Sequence, residues 1–182
     1  MLKIGHRGAA GYEPENTLRS FQKALALKVD VIEFDVYVCQ TGEIVIIHDD
    51  KVNRTTNGHG YVREKTFNEL RELDAGQGEK IPTLPEALDL INRQAKVNIE
   101  LKGVDTAEPV AELIKNYVQE KNWQSEDFLV SSFNHYELQK FSKLCPAVKI
   151  GAIITGIPIN LAEFGEKIKA HSVNLSQEFI NQ

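Results

Sequence analysis

The chain has 182 residues, of which 42% are hydrophobic and 26% are charged, and its formal net charge is −5. This length suits one domain with a sizeable hydrophobic core, and we interpret residues 1–182 as a single domain. The acidic balance gives no support to a nucleic-acid partner, whose usual signature is a basic surface, and no apolar stretch approaches the roughly 18 residues of a transmembrane helix.

Seven apolar runs typical of β-strands follow one another along the chain, and segments of helical periodicity separate most of them. In the first helical segment, residues 17–27, either Asn16 or Thr17 can cap the start, and Thr83 can cap another segment that has a proline in its first turn. Alternating strands and helices predict a parallel α/β sheet. The predicted strands are residues 2–6, 30–36, 44–48, 97–101, 128–132, 149–154 and 172–175, and further helices are predicted over 107–120, 134–144 and 160–169.

Residues 49–80 depart from this alternation. They contain Gly- and Asn-rich turns and a short helical segment near 66–73, but no clear barrel strand. We interpret the stretch near residues 50–80 as a small module inserted over the mouth of the sheet, where functional loops usually lie.

Polar side chains interrupt or follow four of the apolar runs at the ends of predicted strands. Because strand side chains alternate between faces, Glu33 and Asp35 point to one side of their strand, and Glu100 and Lys102 to one side of theirs. Burying an unpaired charge in a strand is costly, so its repetition indicates a function. Polar residues at the ends of several strands favour a TIM-type (β/α) barrel over a doubly wound sheet. The residues concerned are His6, Arg7, Glu33, Asp35, His48, Glu100 and Lys102.

Glu33, Asp35 and Glu100 supply the oxygen ligands that Mg²⁺ or Ca²⁺ prefers, so we expect a divalent-metal site. The alternative is that they are exposed strand-end charges without a ligand, but the inward face expected for Glu100 favours a site. The sequence has no Cys/His spacing typical of structural zinc.

His6 and His48 follow apolar runs at predicted strand ends, and a histidine pair can divide general acid and general base roles near neutral pH. Taken singly, each would more often be a hydrogen-bonded structural residue, but two near the same carboxylates favour catalysis. Arg7 could bind a phosphate group through its forked guanidinium, and Lys102 could neutralise a phosphate oxygen as a point charge. For both cations the alternative is a salt bridge to the neighbouring carboxylates. We interpret Asn16 as a capping and loop-bracing residue rather than a catalyst.

Eight short motifs, taken in order along residues 4–133, resemble the signature of the glycerophosphodiester phosphodiesterases. Any single motif is unspecific, whereas the ordered set is specific. The motifs are His6-Arg7-Gly8, Pro14-Glu15-Asn16-Thr17, Glu33-x-Asp35-Val36, His48-Asp49, Arg54-Thr55-Thr56-Asn57-Gly58, Ile81-Pro82-Thr83-Leu84, Glu100-Leu101-Lys102 and Ser132-Phe133.

The resemblance implies a TIM-type barrel that hydrolyses glycerophosphodiesters to glycerol 3-phosphate and an alcohol such as choline or ethanolamine. It also implies a divalent metal ion, Mg²⁺ or Ca²⁺, as the cofactor. The residues that match the family's metal ligands, its general acid and base, and its phosphate contacts are, in that order, Glu33, Asp35 and Glu100; His6 and His48; Arg7 and Lys102.

The barrel predicted from this chain is incomplete. Seven predicted strands are one fewer than a closed eight-stranded barrel contains, and such barrels need at least ~200 residues. The late Trp-Thr-Val-Asn type segment of the family is missing, and the single tryptophan is Trp123. We therefore expect the last strand and the C-terminal helices to be absent and the first and seventh strands to have open edges, which a homo-oligomer could cover.

Two other functions stay open. Lysophospholipase D and sphingomyelinase D activities occur on related barrels with similar residues, but their substrates need an apolar surface for an acyl chain. Tyr61, Val62 and Phe67 could supply one, although we favour their packing inside the inserted module. The other function is that of an inactive, truncated barrel that binds phosphate or a partner chain without turnover.

The cellular location follows from weaker signals. Cys39 and Cys145 are too few for a disulfide framework and fit a reducing compartment. The N-terminus shows no apolar signal-peptide segment. We therefore expect a cytoplasmic enzyme whose partner is a small-molecule substrate.

Overall fold

A computed structural model of the chain describes residues 1–156, 159 and 163–176. Its strands, β1 to β7 in chain order, are Ile4–His6, Val31–Val38, Ile44–Ile46, Lys96–Leu101, Phe128–Ser132, Lys149–Ile154 and Ser172–Leu175. Its α-helices, α1 to α6, are Leu18–Ala26, Phe67–Glu72, Leu84–Ile91, Ala107–Glu120, His135–Leu144 and Glu163–Lys167. All seven predicted strands are present within two residues at each end. The predicted helix 160–169 contains α6, and its first residues, 160–162, lie outside the described residues.

Six of the strands form one parallel sheet in the order β1-β2-β4-β5-β6-β7. Helices α1, α3, α4, α5 and α6 lie in the connections between successive parallel strands, which is the alternation that the sequence predicts. Over the described residues the sheet is a curled half-barrel whose outer strands are β1 and β7.

Strand β3 is an exception, and the expectation of seven strands in the parallel series is wrong at this point. It pairs antiparallel with the second half of β2, with Val36 opposite Ile46. Because β4 occupies the other edge of β2, β3 shares an edge with β1, which pairs only with the first half of β2. Residues 39–43 are too few for a parallel crossover, which needs about a dozen residues. The described part of the chain therefore contains six parallel strands, two fewer than a closed barrel.

Polar side chains begin the helices near the predicted positions. Thr17, rather than Asn16, caps α1, because its hydroxyl accepts a hydrogen bond from the Ser20 N–H at 3.2 Å. Thr83 begins α3 in a capping box, in which Glu86 accepts from the Thr83 N–H at 2.8 Å. In the described part of the chain, no helix is both long enough and apolar enough to cross a membrane.

Two clusters of buried apolar side chains stabilise the fold. The larger one contains residues of the parallel sheet and of α1, α3, α4 and α5. The second lies between the inserted stretch and the residues of β2, β3 and the turn that joins them, and it includes Val62 and Leu70, both fully buried. Residues 50–80 therefore contribute to a separate small core, as an inserted module would.

We expect Leu70→Ala to lower the free energy of unfolding by about 2–5 kcal/mol, because it leaves a cavity in this second cluster. Denaturant titration measures the change. Leu2→Ala is the control, since Leu2 is 69% exposed. A loss for Leu70→Ala no larger than that of the control would show that this cluster contributes little to folding.

Candidate active site

The middle of β2 and the carboxyl end of β4 place three carboxylates side by side. Glu33 and Asp35 share one face of β2, and Asp35 lies opposite Glu100 in the register of β2 and β4. One oxygen from each carboxylate can be chosen so that all three lie within 4.8 Å of one another. All three residues are buried, with exposed fractions of 6%, 1% and 8% in chain order. This carboxylate cluster could hold a divalent cation such as Mg²⁺ or Ca²⁺.

Burial and the charge of the neighbouring Asp35 disfavour the charged forms of Glu33 and Glu100. Burial, with the charge of Asp35 adding to it, raises the pKa of Glu33 to about 8. Burial also raises the pKa of Glu100, although Lys102 opposes this shift. The Nζ of Lys102 lies 3.4 Å from Asp35 Oδ1 and 2.6 Å from Glu100 Oε1. Outside these ion pairs, the two buried oxygens have no hydrogen-bond donor among the described residues. A bound cation would satisfy them, so the donor set fits a metal.

The turn after β1 brings His6 and Arg7 to the cluster. His6 lies opposite Glu33 in the register of β1 and β2, and its Nε2 is 3.9 Å from Glu33 Oε2. Arg7 has a left-handed backbone, with a φ of 53°, and its N–H donates to Glu33 Oε2 at 2.9 Å. Its Nε lies 3.7 Å from Asp35 Oδ2, and its Nη1 donates to Glu15 Oε1 at 2.8 Å. Desolvation, and next the charge of Arg7, lowers the pKa of His6 and so favours its neutral form.

Strand β3 brings the chain back toward the carboxylate cluster and places His48 near it. Because β3 runs antiparallel to β2, the residues after it approach the cluster, and the Ile47 N–H donates to the Asp35 C=O at 3.0 Å. The Nδ1 of His48 lies 2.6 Å from Asp49 Oδ1. An ionised carboxylate only accepts hydrogen bonds, so this contact assigns the proton of neutral His48 to Nδ1 and leaves Nε2 as an acceptor.

A cavity of about 710 Å³ opens beside His48 and Lys102. Its wall also includes Asp50, Tyr61 and Arg63 from the inserted stretch. The inserted residues therefore help to enclose the space next to these two side chains.

The seven residues predicted for the site form or surround the carboxylate cluster, but sequence reasoning assigned no contact with the site to the side chains behind them. Asn16 is buried with a φ of 59°, and its Nδ2 donates to Asp35 Oδ2 at 2.9 Å. Arg54 forms hydrogen bonds with both Glu15 and Asp49. Glu15, Asp49 and Arg54 each belong to one of the motifs that resemble the family signature, which was a usable signal. No pattern connects Arg54 with Glu15, 39 positions away.

Comparisons of the sequence with known proteins find relatives of one family. A model described as the glycerophosphoryl diester phosphodiesterase family matches residues 6–180. The chain is 42% identical, over 161 residues, to a glycerophosphodiester phosphodiesterase of Caldanaerobacter subterraneus subsp. tengcongensis. It is 39% identical, over 165 residues, to a glycerophosphodiester phosphodiesterase of Bacillus altitudinis. Each match covers 84% of this chain and 66% of the relative, so the chain spans just under two thirds of the length of either protein.

Solved structures confirm the TIM-type α/β fold. A phosphodiesterase of Oleispira antarctica, in complex with the product sn-glycerol-3-phosphate, superimposes with a TM-score of 0.86 at 34% identity. The match covers 98% of this chain and 76% of that one. A glycerophosphodiester phosphodiesterase of Thermotoga maritima gives a TM-score of 0.76 at 27% identity, over 96% of this chain and 74% of that one.

We expect Mg²⁺ or Ca²⁺ to raise the thermal unfolding midpoint, because a ligand specific for the folded state stabilises it by about 2.7 kcal/mol at 100 times its Kd. Glu33→Gln should lose most of this shift. Without metal, the variant should be at least as stable as the unsubstituted chain, because a buried carboxyl group with a disfavoured charge is gone.

Thermal scans with metal and with EDTA measure both effects. Glu126→Gln, at an exposed glutamate near the start of β5, is the control. Equal metal-induced shifts in the two variants would contradict a metal site at Glu33.

Proposed function

The chain belongs to the glycerophosphoryl diester phosphodiesterase family, and we propose that it hydrolyses glycerophosphodiesters to glycerol 3-phosphate and an alcohol. The observation that carries this proposal is the buried cluster of Glu33, Asp35 and Glu100, with His6 and His48 around it. Oxygen ligands for a metal and two imidazole side chains that can accept and donate a proton are what metal-assisted phosphodiester hydrolysis requires. The named activity of the relatives supports the same substrate class.

We propose Mg²⁺ or Ca²⁺ as the cofactor, held by Glu33, Asp35 and Glu100. When bound, the ion would polarise the phosphoryl oxygens and offset negative charge in the transition state. Arg7 and Lys102 now pair with the carboxylates. Once a cation compensates those carboxylates, both side chains are free to contact phosphate oxygens, Arg7 through its fork and Lys102 as a point charge.

His6 and His48 would divide the two proton transfers. One histidine takes the proton of the attacking hydroxyl, for which we favour the glycerol 2-hydroxyl of the substrate. The other histidine protonates the alkoxide that leaves as its bond to phosphorus breaks. The resulting cyclic phosphate is then opened by water. His48 is suited to this exchange because Nδ1 faces Asp49 and Nε2 is left to react.

His6→Ala and His48→Ala should each lower turnover of glycerophosphocholine about 10²–10⁴-fold, because each removes an acid–base catalyst. Release of glycerol 3-phosphate in the presence of Mg²⁺, Ca²⁺ or EDTA measures this. His59→Ala is the control, since His59 lies in the inserted stretch with its Nδ1 3.3 Å from Asn53.

Near-full activity of either histidine variant would remove that residue from the mechanism. A folded, unsubstituted chain that turns over no diester with either metal would favour the alternative of an inactive barrel that only binds.

The packing of the second apolar cluster helps to choose between a glycerophosphodiester and the acyl-chain substrates of lysophospholipase D or sphingomyelinase D. Val62 is fully buried in it, and Phe67 packs against it, so these side chains form internal packing rather than a landing surface. Tyr61 alone of the three lines the cavity beside His48. We therefore favour a water-soluble glycerophosphodiester over a lysophospholipid or sphingomyelin.

The kcat/KM for glycerophosphocholine should exceed that for lysophosphatidylcholine, because Val62 and Phe67 pack in the second apolar cluster and do not offer a surface to an acyl chain. The comparison is made at lipid concentrations below micelle formation. A preference for lysophosphatidylcholine would replace the proposed substrate with the lysophospholipase D alternative.

We also propose a cytoplasmic location and a homo-oligomer that covers the open edges of the sheet. Cys39 and Cys145 are both buried free thiols, which fits a reducing compartment. Among the residues that the structure describes, β1 and β7 end the sheet, and an unpaired strand edge can pair with another chain.

A further inference from the structure

Arg54 binds two carboxylates at once and uses every nitrogen of its guanidinium to do so. Its Nε and Nη2 donate to Asp49 Oδ2 and Oδ1 at 2.7 Å and 3.1 Å. Its Nη1 and Nη2 donate to Glu15 Oε2 and Oε1 at 3.0 Å and 2.8 Å. Because the guanidinium is planar and its donors are rigidly arranged, two forked pairs fix the orientation of both carboxylates.

Each of these carboxylates also contacts a residue of the proposed site. Asp49 Oδ1 lies 2.6 Å from His48 Nδ1, and Glu15 Oε1 accepts from Arg7 Nη1 at 2.8 Å. A continuous series of ion pairs and hydrogen bonds therefore runs from His48 through Asp49, Arg54 and Glu15 to Arg7. It joins the segment that follows β3 to the turn that follows β1.

We propose that Arg54 is a positioning residue that holds His48 and Arg7 in a fixed orientation relative to each other, an inference that rests on the proposed function of those two residues. Arg54 acts through Asp49 on one side and through Glu15 on the other. From its place in the inserted stretch, Arg54 therefore fixes the orientation of the imidazole of His48 and of the guanidinium of Arg7.

The charge states of the two carboxylates support this role. Hydrogen bonds from Arg54 are the main cause that lowers the pKa of Asp49 to about 2, and they also lower the pKa of Glu15. Both groups thus stay ionised and can only accept hydrogen bonds. An ionised Asp49 keeps the proton of neutral His48 on Nδ1, which leaves Nε2 for the reaction.

The exposure of the Arg54 side chain distinguishes a role in positioning His48 and Arg7 from a role in stabilising the fold. Its side chain is 47% exposed, and exposed ion pairs contribute little to stability. Arg19 is a matched control, because its side chain is 46% exposed and pairs with Glu13. Loss of either arginine should leave the fold intact, whereas only the loss of Arg54 should disturb His48 and Arg7.

Arg54→Met keeps the apolar stem and removes both forks. We expect it to lower kcat for glycerophosphocholine about 10–100-fold and to raise KM, because misplacement of reacting groups by about 1 Å can cost 10²-fold. Arg54→Lys should recover only part of the loss, since one ammonium cannot form two forks. Arg19→Met should match the unsubstituted chain in kcat, KM and unfolding midpoint.

Substitutions of Asp49 and Glu15 test separately the contact with His48 and the contact with Arg7. Asp49→Asn should mainly lower kcat through His48, and Glu15→Gln should mainly raise KM through Arg7. Combining Arg54→Met with Asp49→Asn should lower kcat less than the product of the single effects, because both act through the same contact. Fully multiplicative effects would contradict action through Asp49.

A second measurement does not depend on turnover. Nitrogen NMR of isotope-labelled histidine reports the tautomer of His48, whose signal is assigned by its loss in His48→Gln. The unsubstituted chain should carry the proton on Nδ1, and Arg54→Met should show a mixture with the Nε2–H form. A tautomer unchanged from Arg19→Met overturns the proposal, even if kcat falls. If no diester is hydrolysed, the proposed function fails, and the tautomer shift still supports or overturns the role of Arg54.

Discussion

Glu33, Asp35 and Glu100 bring three carboxyl groups into one buried space, where like charges repel and water cannot screen them. The surrounding groups respond to this constraint. Lys102 extends its ammonium over two of the carboxylates, and Asn16 directs its amide at Asp35. These contacts satisfy the buried oxygens only in part, since Asp35 Oδ1 and Glu100 Oε1 have no hydrogen-bond donor among the described residues apart from the Lys102 ammonium. The cluster is thus arranged for a positive charge that the protein supplies only in part.

The path of the chain around β2 determines what can surround the cluster. β1 is short and leaves the second half of that edge of β2 open, and β3 occupies it in the opposite direction. His6 therefore lies at the end of a parallel strand, and His48 lies just after an antiparallel one. The reversal also starts the inserted stretch beside the cavity, so its residues can reach the site from outside the sheet.

Electrostatics differ between the centre of the site and its surroundings. The carboxylate cluster is buried, and burial raises the pKa of Glu33. The outer series through Asp49, Arg54 and Glu15 is partly exposed, and paired charges there lower the pKa of its carboxyl groups. Protons are thus favoured on Glu33 and Glu100 and disfavoured on Asp49 and Glu15. A metal fits the inner groups, while the outer groups serve as permanent acceptors that orient neighbouring side chains.

Local patterns in the sequence predicted much of this arrangement. Apolar runs located all seven strands, because burial of a strand depends on its own side chains. Thr83 was recognised as a cap because capping involves residues only three positions apart. The seven proposed site residues were found because charges at strand ends are unusual and because their motifs resemble those of a family.

Other features depend on segments that are far apart in the chain. The predicted direction of β3 was wrong, because an apolar run is compatible with pairing in either direction. The edge of β2 that β1 leaves free decided the direction of β3. Asn16 could be assigned to a cap or a loop, but its contact with Asp35 exists only after the turn folds against β2. Arg54 meets Glu15 across 39 positions. The sequence by itself thus determined which segments are strands and helices and which residues are proposed for the site, because these follow from local hydrophobicity and residue type. Only the tertiary structure decided strand direction and the ionic contacts behind the site, because these arise when distant segments pack together.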